Sequence, residues 1–401
     1  MTTADQAAAP AGAGPGPTSG GTGPGMGSRA ARASLLRRLG GRRRGLAILV
    51  IAGLAVLVPF MINGYWLSTA VFVLIAAIGA LGLDLLTGRT GQISLGHAFF
   101  LAVGAYTGGV LGGRYGLTAA LWIPTAAVVA GLLGALVGPT ALRLRGLYLA
   151  IVTIGLIFIG QQVFVNVTYL SGGPGGESLP NPKFPGLNFE NGIRVGGLFI
   201  NRDGLYYYLA LLLLAAAMAY TFNLGRSRHG RSMYAVRDRE LAAAVLGVDV
   251  ARTKVMAFVI SSMLAGVSGA LYGAYVGFVV PTQWDLAFSI QFVVMIVVGG
   301  MATVWGPVLG AAFVIGLPAL LQNVSRSLPF LETGTNNHGI LTVSDASAIV
   351  YGVGLVVFLL LEPRGIVGLG QRIVGLARRR ARPGEALGAR FGRGVKPSGG
   401  I

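Results

Sequence analysis

Residues 88–108 read GRTGQISLGHAFFLAVGAYTG, so a polar, glycine-rich segment leads directly into apolar sequence. Glycines on both sides of Gln92 and Ser94 favour non-helical backbone. At membrane depth such backbone is tolerated only where protein buries it or where it lines a water-filled path. The stretch is thus either part of a solute pathway that includes Gln92, Ser94 and His97, or a cytoplasmic turn in which His97 caps the second of two helices. Arg89 in the polar half favours the turn, because charged residues are rare inside a bilayer.

The composition of the whole chain is that of an integral membrane protein. Charged residues make up only 11% and hydrophobic residues 54% of the chain, and the mean hydropathy is +0.71, whereas soluble domains are about 25% charged. The 65 glycines in 401 residues suit close helix packing in lipid. With no cysteine and three histidines, the chain is expected to form no disulfide, redox centre or metal site.

Apolar runs long enough to cross a hydrocarbon core of about 30 Å predict an all-α, polytopic helical bundle. The run 286–321 is too long for one crossing at about 1.5 Å per residue, and glycines at 299, 300 and 306 divide it into two. About ten crossings result, or eight or nine if this pair includes a re-entrant segment. The remaining runs lie near residues 46–62, 66–86, 97–113, 117–141, 147–168, 204–224, 255–280 and 346–362.

The 31 lysines and arginines predict the orientation of the chain, because such residues accumulate on the cytoplasmic side. Most of them lie in residues 1–45, 225–254 and 363–401, which ten crossings place on one side. We therefore expect a multi-pass protein of the plasma membrane with both termini in the cytoplasm. The net charge of +18 is then a topology signal. Nucleic-acid binding is not expected, since the charges lie in short loops and tails.

The predicted domain organisation follows from the same features. Residues 1–45 form a disordered, basic cytoplasmic tail, because their small and polar residues bury too little apolar surface to fold. Residues 46–362 form the transmembrane domain. A glycine- and proline-rich external loop at 169–203 is predicted to be irregular, and a cytoplasmic loop lies at 225–254. Residues 363–401 form a second basic cytoplasmic tail.

Enzymatic chemistry is not expected of this chain. A phosphate loop needs a Gly-x-x-x-x-Gly-Lys-Ser/Thr motif, and none of Lys183, Lys254 and Lys396 stands in that setting. A Gly-x-Ser-x-Gly nucleophile elbow is also missing from the sequence. Asp84 is the only acidic residue inside a predicted span and lies about one turn from its cytoplasmic end. That position disfavours a proton-driven carrier and leaves a sodium-coupled carrier open.

The cytoplasmic loop 225–254 reads GRSRHGRSMYAVRDRELAAAVLGVDVARTK and predicts a short surface helix. Asp238 is expected to cap this helix, and Glu240 is expected to lie in its positive first turn. Gly247 is expected to end it in a left-handed conformation. The helix then spans roughly two turns, or about 12 Å.

One face of the predicted surface helix is apolar, which suits a helix that lies along the membrane and docks into a partner. That face consists of Leu241, Ala244, Val245 and Val248. The alternative is a charged loop that only anchors the topology.

Uncharged polar residues also occur inside predicted spans, where they act as interhelical hydrogen-bond links or contact a transported solute. These residues are Gln161, Gln162, Asn166 and Gln291. The candidate pathway residues of the chain are Gln92, Ser94, His97, Gln161, Gln162 and Gln291.

Residues 91–100, GQISLGHAFF, followed by GAY at 104–106, closely resemble the signature of the permease subunits of branched-chain amino-acid ABC importers. Further segments in the same order look like parts of these permeases. They lie at residues 142–153, 168–176, 299–310 and 362–365. The resemblance covers roughly residues 65–370 and leaves both tails unmatched.

The loop at 225–254 resembles the coupling helix of ABC importer permeases, whose Glu-Ala-Ala motif has a glycine six residues after its first position. Ala242 and Ala243 with Gly247 match this motif loosely, but Leu241 stands where the motif has glutamate, and Glu240 lies one position early. On this resemblance, the residues that couple to the ATPase are Arg237, Asp238, Glu240, Leu241, Ala242, Ala243, Val245 and Gly247.

The resemblance implies one transmembrane subunit of an ABC importer for branched-chain or related hydrophobic amino acids. It also implies a second, similar permease chain, two cytoplasmic ATP-binding subunits and an extracytoplasmic solute-binding protein. ATP would then bind to the partner subunits, and this chain would carry no cofactor. Urea and short-chain amide permeases share the signature and remain alternatives. An ion-coupled secondary carrier and a membrane scaffold or receptor remain open as rival classes.

Overall fold

The computed structural model describes residues 53, 56–144, 146–195, 198–325, 349, 352, 353, 356, 360, 365–369 and 372. The chain divides into two compact units, Met1–Phe60 and Met61–Ile401. In the first unit, the described residues 53 and 56–60 are helical. The predicted tails at 1–45 and 363–401 and the predicted spans at 46–62 and 346–362 lie wholly or mostly outside the described residues.

The described part of the second unit is built mainly from α-helices, as predicted. Seven of its helices are long and apolar enough to cross a membrane. The helices are α1 Gly64–Leu83, α2 His97–Gly108, α3 Ala119–Val137, α4 Thr140–Arg143, α5 Leu147–Asn166, α6 Thr168–Ser171, α7 Arg202–Arg226, α8 Arg228–Asp238, α9 Glu240–Val245, α10 Val250–Val276, α11 Leu286–Gly299 and α12 Gly306–Ser325.

The long apolar run at 286–321 is divided as predicted, because α11 ends at Gly299 and α12 begins at Gly306. Gly300, between them, has φ of 112°, which a residue with a Cβ atom rarely adopts. The 14 residues of α11 correspond to about 21 Å, so the segment that can cross the membrane also includes the preceding turn and runs from Pro281 to Gly299.

Two π-helical segments interrupt the regular helices. Asp84–Gly88 continues α1, and Gly109–Arg114 continues α2. Segments of this kind are rare and occur frequently at functional sites. Residues 91–96 between α1 and α2 are non-helical, and α2 itself has only 12 residues, or about 18 Å.

Helix α10 lies at the centre of the second unit and packs against α1, α2 and α3. Its contact with α2 depends on glycine. A Cβ atom at Gly104 would collide with the backbone of Gly266, and one at Gly269 would collide with the backbone of Leu101. Close backbone approach through small residues is the usual way in which helices associate in lipid.

The predicted external loop at 169–203 is more regular than expected. It contains the antiparallel pairs Lys183–Phe184 with Leu187–Asn188 and Ile193–Val195 with Leu198–Ile200. A third pair joins Glu177–Ser178 to Phe278–Val279, which follows α10. Strands of two or three residues are too short to show an alternating pattern in the sequence, and for this reason the prediction of an irregular loop was wrong here.

Candidate functional site

The loop at 225–254 folds into two helices, α8 and α9, separated by a single extended residue. Ser227 caps α8 by accepting a hydrogen bond from the Gly230 backbone N–H at 3.2 Å. Arg239 has φ of −153° and ψ of 100° and stands at the N-cap position of α9, which no side chain caps. The prediction that Asp238 caps the short helix is therefore wrong, because Asp238 is the last residue of α8 and Arg239 separates it from α9.

Helix α9 has six residues, shorter than the two turns expected, with Glu240 in its first turn. Gly247 has φ of +81°, which confirms the predicted left-handed helix end. Its backbone N–H donates to the Ala244 carbonyl, and that of Val248 donates to the Ala243 carbonyl, each at 3.0 Å. These two bonds form a Schellman motif, which satisfies the last carbonyls of the helix.

Helix α9 exposes large apolar side chains and buries only a small one. Leu241, Val245 and Leu246 are 73%, 87% and 82% exposed, whereas Ala243 is 2% exposed. Val248 is half-buried, so it adds less to the apolar face than the sequence predicted, and Leu246 adds more. Contiguous exposed apolar residues on a surface commonly mark a site of protein interaction.

An ion pair ties α9 to α10. The Glu240 carboxylate lies 2.8 Å from the Lys254 ammonium group, and the Lys254 side chain is only 6% exposed. The Lys254 carbonyl in turn accepts a hydrogen bond from the side-chain amide of Gln92 at 3.4 Å. Together with Arg237, these residues border a cavity of about 180 Å³. The glycine-rich stretch and the α8–α9 region are thus direct neighbours.

Two hydrogen bonds join α8 to the segment that continues α1 and to the turn between α11 and α12. The guanidinium group of Arg237 donates to the Gly88 carbonyl at the end of the π-helical segment. The Tyr234 hydroxyl donates to the Ala302 carbonyl, between α11 and α12, at 3.5 Å. Helix α8 is therefore hydrogen-bonded to the π-helical segment that continues α1 and to the turn between α11 and α12.

A buried charged pair lies beside these bonds. Asp84 and Arg89 are 0% and 2% exposed, and the Arg89 Nε and Asp84 Oδ2 atoms are 3.8 Å apart. The other oxygen of Asp84 accepts a hydrogen bond from the Ala302 N–H at 2.6 Å, and Arg89 donates to the Thr221 carbonyl of α7 at 2.9 Å. Ala302 has φ of +62° and is the one non-glycine residue with positive φ in the described part of the chain. The pair therefore joins three separate parts of the fold.

From the sequence, Asp84 was recognised only as an isolated acidic residue, and its pairing with Arg89 was not predicted. A π-helical turn places residue i+5 above residue i, so it brings Arg89 next to Asp84. An α-helix would bring together residues three or four apart. Asp84 is therefore a buried residue with a cationic neighbour rather than an isolated acid.

Residues 91–96 run into the protein rather than forming only a surface turn. The Leu95 N–H donates to the Thr153 hydroxyl of α5 at 3.0 Å, and the Ala98 N–H donates to the Ser289 hydroxyl of α11 at 2.8 Å. His97 does not cap α2, because Gly96 occupies the N-cap position and His97 is the first helical residue. Within this non-helical stretch Gln92, Ser94 and Gly96 are buried, whereas Gly91 and Ile93 are exposed, so the protein buries only part of it.

The candidate pathway residues do not converge on one site. Gln92, Ser94 and His97 are buried, and the His97 ring lies 5.1 Å from that of Phe292. Gln161 donates to the Trp284 carbonyl at 3.2 Å, as a link between α5 and the segment before α11. Gln162 is exposed. Gln291 is half-buried and borders a different cavity.

A polytopic helical bundle with an exposed apolar helix beside its basic loops has the architecture of a membrane transport subunit. The family model described as "Branched-chain amino acid transport system / permease component" matches residues 65–359. The chain therefore belongs to this family of permease components, whose members are transport subunits rather than enzymes.

Individual relatives agree with the family assignment. The high-affinity branched-chain amino acid transport system permease protein LivM of Escherichia coli strain K12 is 35% identical over 335 residues, covering 80% of this chain and 74% of LivM. LivM of Salmonella typhimurium has the same identity and coverage. The autoinducer 2 import system permease protein LsrC of Enterobacter sp. strain 638 is 29% identical, covering 69% of this chain and 77% of LsrC. No solved structure matches.

Proposed function

We propose that this chain is the transmembrane subunit of an ATP-driven importer that takes up branched-chain amino acids. The proposal includes a second permease chain, two cytoplasmic ATP-binding subunits that hold the ATP, and an extracytoplasmic solute-binding protein. The family membership and the LivM relatives support the substrate class. Both termini lie in the cytoplasm in this proposal, as the distribution of lysine and arginine favours.

The observation that carries the coupling role is the exposed apolar surface of α9. Leu241, Val245 and Leu246 are the most exposed large apolar side chains of the α8–α9 region, and no part of the described chain covers them. A short amphipathic helix that presents such anchors fits into a groove of a partner. In our proposal this groove belongs to an ATP-binding subunit.

The coupling mechanism uses the contacts that lead away from α9. When the ATP-binding subunits close, they push on α9, and the Glu240–Lys254 ion pair carries the displacement to α10. The Arg237 hydrogen bond carries it to Gly88 at the end of α1. Because α1 and α10 pack against each other, both move together, and the solute pathway, half of which this chain forms, switches between outward and inward access.

Replacing Gly247 by valine tests the coupling role. At φ of +81° a β-branched residue is strained by about 1–2 kcal/mol or more, while a Cβ atom at Gly247 meets nothing within 4 Å. The strain therefore alters the end of α9 without a collision. We expect the assembled complex to lose the stimulation of ATP hydrolysis by loaded binding protein, with membrane insertion unchanged.

Gly116→Val is the matched control, because Gly116 also has positive φ, of 64°, and open space around it, but lies before α3 at the other end of the helices. We expect this variant to keep stimulated ATP hydrolysis. Stimulation that survives Gly247→Val, or that is lost equally in both variants, would contradict the proposed role of α9.

Reconstitution into vesicles tests the class and the substrate. The complete complex should accumulate leucine, isoleucine and valine only with ATP. The chain alone should transport none of them, even under a sodium or proton gradient. Uptake by the chain alone would show a secondary carrier, and ATP-driven uptake of urea or acetamide instead of leucine would show the alternative substrate class. A lack of flux under every condition would favour a scaffold or receptor.

A further inference from the structure

A cavity of about 190 Å³ lies among the membrane helices α1, α10, α11 and α12. Its walls are mostly apolar and aromatic, and Ala76 is the small residue that faces it from α1. The principal apolar residues around it are Phe72, Ile75, Phe292, Met295 and Ile315. The space is large enough for several water molecules and is therefore also large enough for one small solute.

The cavity is not a sign of generally loose packing. One turn along α1 from Ala76, a Cβ atom at Gly79 would lie 2.8 Å from the Phe292 ring and 2.9 Å from the Ser268 hydroxyl. The same helices thus pack without room for a methyl group at Gly79 and leave an open space beside Ala76. Apolar and aromatic walls with a few polar groups are typical of a ligand pocket.

Two polar groups that border the cavity lack partners. In the described part of the chain, neither the side-chain amide of Gln291 nor the hydroxyl of Tyr272 forms a hydrogen bond. By contrast, the neighbouring Ser268 hydroxyl donates to the Ile75 carbonyl at 2.7 Å. Polar groups inside a membrane protein are almost always paired or in contact with water or a solute. The amide and the hydroxyl are therefore free to bind a ligand.

We propose that this cavity holds a hydrophobic amino acid during its passage through the membrane. The aliphatic side chain of the solute lies against Phe72, Ile75 and Met295, and its charged groups meet the Gln291 amide and the Tyr272 hydroxyl. This proposal rests on the proposed function, and it adds that the permease itself discriminates between side chains by size. A neutral amide with both donors and an acceptor suits a zwitterion, since it can accept from an ammonium group and donate to a carboxylate.

Filling the cavity tests this proposal in the complete complex. Ala76→Leu adds three carbon atoms to the wall, and we expect it to lower leucine uptake relative to valine uptake by about tenfold, because differences of one methylene in an apolar pocket are of this order. Both amino acids are supplied to the same vesicles on saturating binding protein, so the ratio does not depend on how much complex is assembled. Ala216→Leu, on an exposed face of α7, is the matched control and should leave the ratio unchanged.

A labelling experiment covers the case in which Ala76→Leu does not assemble. The chain has no cysteine, so Ile315→Cys introduces a single thiol at the cavity wall and keeps the Gln291 amide. We expect a small thiol reagent to modify it more slowly as leucine is added, with a saturable dependence, and urea to give no protection. An unchanged leucine-to-valine ratio in an active Ala76→Leu complex, or labelling that leucine never slows, overturns the pocket. Failure of the unmodified complex to import leucine or valine would instead overturn the proposed function.

Discussion

The buried pair of Asp84 and Arg89 gives the most quantitative prediction for this fold. In Asp84→Leu, Arg89 keeps its hydrogen bond to Thr221 but loses its counter-charge at 2% exposure, and the Ala302 N–H loses its acceptor. A buried charge left without its partner costs about 3–5 kcal/mol, and an unpaired buried N–H costs about 1–3 kcal/mol. We expect the charge to dominate and the variant to lose at least about 3 kcal/mol of unfolding free energy.

The double variant Asp84→Leu with Arg89→Met separates this explanation from a simple packing defect. Replacing a buried ion pair by apolar residues of similar volume is often neutral or stabilising. The double variant should therefore be more stable than Asp84→Leu, and the coupling energy of the cycle should reach about 2–3 kcal/mol, within the range for residues in contact. The Ala302 N–H is unpaired in both variants and cancels from the comparison.

The assay is reversible unfolding of the purified protein in detergent, followed by circular dichroism as denaturant is added. Asp84→Asn provides an intermediate point, because the amide oxygen still accepts from the Ala302 N–H while the charge is lost. Bonds to charged groups exceed neutral ones by about 1–2 kcal/mol, so we expect a smaller loss than in Asp84→Leu. Additive effects of the two single substitutions, within about 0.5 kcal/mol, would refute the assignment of Asp84 and Arg89 as an interacting pair.

Two further predictions concern helix packing and coupling. Gly104→Ala should destabilise the protein, because the new Cβ atom collides with the backbone of α10. A Cβ atom at Gly155 would meet nothing within 4 Å, so Gly155→Ala should stabilise α5 by about 0.5–1 kcal/mol. Thermal unfolding of both variants checks this, and equal shifts in the unfolding temperature would contradict it. Lys254→Met should reduce the transport obtained per ATP hydrolysed, because it removes the ion pair that joins α9 to α10. Lys183→Met, on the strand Lys183–Phe184, should leave this ratio unchanged. Parallel measurements of uptake and phosphate release check this, and an unchanged ratio in Lys254→Met would count against the ion pair as a coupling contact.

The regular helices could be predicted from the sequence because hydropathy is sufficient to find them. Long apolar runs gave seven described helices that can cross a membrane, and the glycines at 299, 300 and 306 marked the break between α11 and α12. Gly247 was recognisable as a helix end, because a left-handed residue at that position favours glycine. Each of these features has a local signal in composition.

The contacts that define the coupling region had no such signal. A π-helical turn looks like an α-helical one in composition, so the pairing of Asp84 with Arg89 could not be predicted. Arginine is not a residue type that indicates an extended break between two helices. The sequence therefore predicted the cap one position too early, at Asp238. The hydrogen bond from the Gln92 side-chain amide to the Lys254 carbonyl joins residues far apart in the sequence. Only the packing of α10 beside the glycine-rich stretch brings them together.

Residues 88–96 contain part of the sequence that resembles the permease family, and their contacts bear on the role of this stretch. At one end Arg237 of α8 holds the Gly88 carbonyl, and at the other Thr153 and Ser289 hold backbone N–H groups on either side of the start of α2. Residues 91–96 between these contacts are non-helical, so we expect them to rearrange when α8 moves relative to α5 and α11. Their glycines permit the backbone rotations that such a movement requires. We therefore expect this stretch to connect the α8–α9 region mechanically to α5 and α11 rather than to bind the solute.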